Sequence, residues 1–194
     1  IFEILDSNVR RQHDKMSTLI AKAINEIEIA ANQKDGLLGV PSGFTALDRI
    51  TGGWQKSDLM VIASRPGMGK TAFVLSMAKN ASVDFNKPVA IFSLEMSSIQ
   101  LVKRLISSET EIHQSKILKG NLDNHEFVQL NERIKKLSSA PLYIDDTPAL
   151  SLFELRAKAR RLKENQKVEL IIIDYLQLMS GGPDGKGNRE QEIS

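Results

Sequence analysis

Residues 59–71, Leu-Met-Val-Ile-Ala-Ser-Arg-Pro-Gly-Met-Gly-Lys-Thr, limit what this chain can fold into more than any other stretch. The apolar run 59–63 predicts a short buried strand. Ala72 to Ala78 is apolar nearly all round and predicts a heavily buried helix. Between them lies a turn bearing Gly67 and Gly69 that ends in Lys70-Thr71. A strand feeding such a turn at a helix N-terminus exposes several backbone N–H groups to one anion. Lys70 adds a point charge suited to the β/γ-phosphates of a nucleotide, and the Thr71 hydroxyl is suited to help hold Mg2+. The usual phosphate-loop pattern opens with Gly, then four residues, then Gly-Lys-Ser/Thr. Here Ser64 takes the opening place, a departure that touches only the first turn. Ser64, Arg65, Pro66, Gly67, Met68, Gly69, Lys70 and Thr71 form the candidate nucleotide-binding set. Arg65 suits either a phosphate or a neighbouring subunit.

The 194 residues suffice for one domain with a real core and leave room for an appendage. A net charge of +2 argues neither for nor against nucleic acid. The absence of cysteine excludes disulfides and thiolate metal sites. No apolar run reaches the length of a membrane span, and nothing reads as a signal peptide. The chain begins at Ile1 rather than Met, which suggests a fragment or a processed chain.

Met16, Leu19, Ile20, Ala23, Ile24 and Ile27 recur at helical spacing and predict an amphipathic helix. It either packs on its own domain or docks on a neighbouring subunit. The polar run Asn32-Gln33-Lys34-Asp35-Gly36 behind it reads as a linker. Thr45 and Asp48 are spaced as a capping box for a short helix ending at Thr51-Gly52-Gly53. Further strands are expected at 89–92, 141–144 and 170–174. Helices between them are capped by Ser97/Gln100, Asp123/Glu126 and Ser151/Glu154, with Phe127, Leu130, Ile134 and Leu137 on one face and Leu152, Leu155, Ala159 and Leu162 on another. Arg133, Lys135 and Lys136 read as a solvated face. Buried strands alternating with helices make the class α/β with a mostly parallel sheet.

In an open parallel sheet ligands bind at the carboxyl ends of the strands. The phosphate loop, Glu95 and Asp174 all lie there. Asp174 suits a Mg2+ ligand acting mostly through water, and Glu95 suits a base that orients the attacking water. Asp145 and Asp146 are rival carboxylates that read as loop residues or a helix cap. His13, His113 and His125 lie at no metal spacing. Trp54 reads as a core residue or, less simply, a base-stacking platform.

Ser42-Gly43-Phe44, Leu47-Asp48 and Thr51-Gly52-Gly53, followed by the loop, resemble the RecA-like ATPase core. Residues 63–71, Ile91-Phe92-Ser93-Leu94-Glu95-Met96 and Ile173-Asp174-Tyr175-Leu176-Gln177-Leu178-Met179 narrow the resemblance to the DnaB-type replicative DNA helicases of bacteria. The resemblance implies the end of an amino-terminal domain over 1–8, a linker with a docking helix over 9–38, and a RecA-like motor domain over 39–194. It further implies a cytoplasmic homohexamer that encircles single-stranded DNA and hydrolyses ATP with Mg2+, with helix 16–27 docking on a neighbour. Primase and a helicase loader are the implied partners, and no membrane is. Catalysis would fall to Lys70 and Glu95, and Lys186 and Arg189, in a stretch similar to the first DNA-binding loop, could meet phosphate.

In the family, a later strand lies between the strand before the phosphate loop and the one ending in Asp174, so the motor domain is expected to be incomplete at its C-terminus. Two other readings use the same residues. One is a recombinase-like or clock-type ATPase of the same core, which usually lacks the Asp-Tyr-Leu-Gln-Leu-Met run. The other is a nucleotide-gated assembly or helicase-loading module without unwinding, against which Glu95 argues.

Overall fold

The computed structural model describes residues 15–32 and 37–180. It divides the chain into two units, Ile1–Leu38 and Gly39–Ser194. In the first, helix α1 (Met16–Asn32) carries the expected stripe. Met16, Leu19, Ile20, Ile24 and Ile27 are all exposed, by 45% to 69%. Residues 1–8 lie outside the described residues, as do 9–14 and 33–36 of the expected linker.

The second unit begins with α2 (Thr45–Thr51) and α3 (Lys70–Lys79), which runs into a π-helical turn (Asn80–Asp84). Then come β1 (Val89–Ser93), α4 (Ser98–Thr110), α5 (Gln114–Lys119) and α6 (Asn124–Ser139). β2 (Leu142–Asp145), α7 (Leu152–Gln166), β3 (Leu170–Asp174) and a short 3-10 turn (Leu176–Leu178) follow. The three strands form one parallel sheet in the order β2-β1-β3. The register pairs Val89 with Leu142 and Leu170, and Ser93 with Asp174.

β1 is buried along its whole length because both faces of the sheet are covered. Val89 and Ile91 join Leu170, Ile172, Val74, Leu75, Leu101 and Leu105 in one core. Ala90 and Phe92, alternating with them, join Leu150, Leu155 and Val168 in the other. Each fully buried Ile or Phe contributes about 1.5–3 kcal/mol by leaving water.

The strand expected over 59–63 does not form. Its backbone pairs with no strand among the described residues, so no ladder defines it. The inward–outward alternation survives: Met60 and Ile62 pack against the core, while Leu59 and Val61 are 91% and 83% exposed.

Other local expectations are also revised. α2 starts after Phe44 with no side-chain cap, and Asp48 instead turns back to accept N–H bonds from Ser42 (2.8 Å) and Gly43 (3.1 Å). Gly43 is required there: its φ is 77°, and a Cβ would stand 2.3 Å from the Asn80 side chain. On α6 it is Glu126 that is buried and Phe127 that is 47% exposed. The Glu126 carboxylate accepts from the Asp123 N–H (2.9 Å) and from Lys116 (2.7 Å), and these bonds turn that side of the helix inward. Arg133 is not simply solvated, since it donates to the Glu109 carbonyl and the Glu111 carboxylate beyond α4. Leu152 is 67% exposed, whereas Leu155 is buried. The six-residue helix α5 has no counterpart among the expected elements, being too short for a periodic signal. The return bonds of the Ser97/Gln100, Asp123/Glu126 and Ser151/Glu154 boxes are all present.

Candidate active site

The loop 63–69 is exposed throughout and delivers the chain to α3 through two left-handed glycines, Gly67 (φ 77°) and Gly69 (φ 86°). No atom lies within 4 Å of a Cβ built on either glycine, so the loop surface there is open. The Met68 N–H donates to the Arg65 carbonyl (3.2 Å), tightening the turn, and Gly69 serves as N-cap of α3. Lys70 and Thr71 therefore stand at the first two positions of a helix whose leading N–H groups have no partner within the helix. Ser64, Arg65, Pro66 and Met68 line the same turn with exposed side chains.

β3 brings the second half. Asp174, its last residue, is 5% exposed, and a buried carboxylate is costly unless bonded. The Thr71 hydroxyl donates to Oδ2 at 2.8 Å, and Lys70 Nζ lies 3.3 Å from Oδ1. Lys70 Nζ also sits 4.1 Å from the centre of the Tyr175 ring, a cation–π contact. A hydroxyl and a carboxylate side by side are hard oxygen donors of the kind Mg2+ takes, so these residues fit that ion.

Glu95 follows β1, the strand adjacent to β3, two residues past Ser93. Its carboxylate is exposed and has no hydrogen bond or ion pair among the described residues. The Leu94 N–H donates to the Asp174 carbonyl at 2.8 Å, so the two strand ends stay paired up to the residue before Glu95.

The rival carboxylates have structural employment. Asp146 accepts the Ser98 N–H at the start of α4 (2.7 Å), which holds its carboxyl below the usual range. Burial pushes Asp145 up, but bonds from Lys158 (2.6 Å) and Thr147 outweigh it and leave the carboxyl lowered. Trp54 donates from Nε1 to Met77 Sδ (3.1 Å) and packs against the core. His113 caps α5 by accepting the Ser115 N–H. Asp123, His125 and Glu126 do approach one another, a grouping that sequence spacing did not suggest, yet the Glu126 oxygens are already taken by Lys116 and Asp123. Lys186 and Arg189 lie outside the described residues. The sequence gives no signal for the Lys70–Tyr175 contact: Tyr175 stands inside a motif stretch, but no spacing rule pairs it with a lysine at the start of α3.

A parallel sheet, a glycine loop capping the helix beyond it, and a carboxylate on a strand end meeting that helix define the phosphate-loop class of α/β domains. Residues 39–194 match the family model described as the DnaB-like helicase C terminal domain. The chain belongs to that family. It is 40% identical over 194 residues to "Replicative DNA helicase DnaC" of Bacillus subtilis (strain 168), covering 100% of this chain and 43% of that protein. It is 44% identical over 176 residues to "Replicative DNA helicase DnaB" of Geobacillus stearothermophilus, covering 91% of this chain and 39% of that one. The chain thus spans less than half the length of these relatives. Among solved structures, one described as an ATPase domain superposes with a TM-score of 0.84 at 33% identity, over 94% of this chain and 64% of that one. "The Structure Of A DnaB-Like Replicative Helicase And Its Interactions With Primase" gives 0.78 at 33% identity, over 99% of this chain and 46% of that one. The fold is the RecA-like ATPase fold of the DnaB-like helicases.

Proposed function

We propose that this chain is part of a replicative DNA helicase, with residues 39–194 in its ATP-driven motor, 9–38 its linker and 1–8 the end of an amino-terminal domain. The convergence of Lys70 and Thr71 on Asp174 carries the reading. The 64–71 loop cradles the phosphates of ATP with backbone N–H groups, and Lys70 supplies charge to their β and γ oxygens. Thr71 and Asp174 would hold Mg2+, Asp174 mostly through water, and the ion would supply positive charge against the phosphate oxygens. Glu95, free of other partners, orients water for in-line attack and takes its proton. Lys186 and Arg189 meet the phosphates of single-stranded DNA. The exposed stripe of α1 docks on a second copy within a hexamer, and the relatives' names together with the primase complex support the fork and primase as partners. The protein acts in the bacterial cytoplasm. No helix among the described residues is long and apolar enough to cross a membrane.

Glu95→Gln in the intact protein tests the motor reading. Nucleotide binding should persist while ATP turnover and strand separation on a forked duplex are lost. Normal turnover in that variant would remove Glu95 from the mechanism.

A further inference from the structure

Ser93 closes β1 and is 2% exposed. A hydroxyl so buried costs free energy unless it is bonded. It is bonded twice to one residue: its Oγ donates to the Met96 carbonyl (2.7 Å) and accepts the Met96 N–H (3.2 Å). Both polar backbone groups of Met96 are therefore drawn back onto the strand end. On the other flank, the Leu94 N–H is held by the Asp174 carbonyl. Glu95 lies between these two anchors. Just beyond, the Ser97 N–H bonds Gln100 and the Ser98 N–H bonds Asp146, so the exit into α4 is fixed as well. The residues on each side of Glu95 are tied, Leu94 to Asp174 and Met96 to Ser93, while the Glu95 carboxylate itself has no partner among the described residues.

We propose that Ser93 is a positioning residue for Glu95: its hydroxyl clamps the 93–96 turn so that the Glu95 carboxylate is held at one place relative to Asp174. The inference rests on Glu95 being the base assigned above. A general base works only within about 2.6–3.2 Å of the group it deprotonates. A displacement of about 1 Å can cost about 100-fold in rate. Without the clamp, Met96 must find other partners, and the turn gains freedom at the residue where position matters most.

The test uses the intact protein with Mg2+ and ATP, measuring turnover, nucleotide affinity and thermal melting for four variants. Ser93→Ala should lower kcat by about 10- to 100-fold with nucleotide affinity unchanged. Ser93→Thr, which keeps the hydroxyl, should restore most of the rate. Glu95→Gln should stop turnover, and Ser93→Ala added to it should produce no further loss. Native turnover in Ser93→Ala beside an inactive Glu95→Gln overturns the clamp alone. So does an equal loss of affinity and rate, or a loss in Ser93→Ala that Ser93→Thr does not recover. Native turnover in Glu95→Gln overturns the base, and the clamp with it. If Ser93→Ala does not fold, hydrogen exchange at the Met96 amide of the native protein decides: protection supports the clamp, and exchange at the rate of a free loop contradicts it.

Discussion

At the scale of single residues, Asp174 is where the site is made. Burial leaves its carboxylate dependent on Thr71 and Lys70, both from a helix start far away in sequence. Thr71→Val keeps the shape and removes the hydroxyl. The Mg2+ concentration needed for half-maximal hydrolysis should rise by at least about tenfold, as a Mg2+ titration of ATPase activity would show. An unchanged titration would exclude Thr71 from the ion's surroundings. Asp48 is a purely structural counterpart. Its carboxylate holds the Ser42 and Gly43 N–H groups, so Asp48→Ala should cost about 1–3 kcal/mol in a denaturant melt. The glycine turn entering α3 was legible in the sequence because glycines followed by lysine and threonine at fixed offsets mark a loop that feeds a helix start. Ser93 and Tyr175 were not: sequence does not show that Ser93 is buried and so depends on its bonds to nearby Met96, and Tyr175 meets Lys70 only once β3 lies beside the start of α3.

At the scale of elements, capping chemistry and strand burial were readable, and helix faces were read less well. Ser97, Asp123 and Ser151 start their helices as their spacing requires. Phe127 misled because it lies at the edge of an inward face on which Leu130 and Ile134 are half-buried and Leu137 packs against the core; the part-buried Glu126–Lys116 pair takes the inward place at that end. That pair and the Asp146 cap also set a pH dependence. The Glu126 carboxyl is lowered from 4.5, chiefly by its bond from Lys116, and Asp146 from 3.8 by the Ser98 N–H. Groups whose folded pKa is depressed stabilise fully above the unfolded value and lose that contribution as pH falls through the folded one. Stability should therefore be flat above about pH 5 and fall below pH 4.5. Glu126→Gln should flatten that fall in a series of melts between about pH 3 and 6. Phe92→Ala, emptying one face of β1, should cost about 3–5 kcal/mol without moving the register of the sheet.

At the scale of the whole molecule, the parallel sheet came through as expected, while the strand before the phosphate loop did not. A ladder needs a neighbour, and residues 59–63 have none among the described residues, although their alternating side chains keep a strand's pattern. Helix α1 shows the same logic between copies: its apolar stripe is exposed, and the proposed hexamer gives it a partner. Replacing Ile20 and Ile24 together by Lys should reduce the mass of the assembly in sedimentation experiments, while leaving the melting of the second unit intact. An unchanged mass would show that α1 does not hold copies together.

In the proposed function Lys70, Thr71 and Asp174 form one ATP site that drives a motor on DNA. ATP hydrolysis by the intact protein, with and without single-stranded DNA, for the native chain and Lys70→Ala, tests it most directly. DNA-stimulated hydrolysis is expected, and Lys70→Ala should lower it by about 100-fold or more. Hydrolysis at the native rate in Lys70→Ala would contradict it.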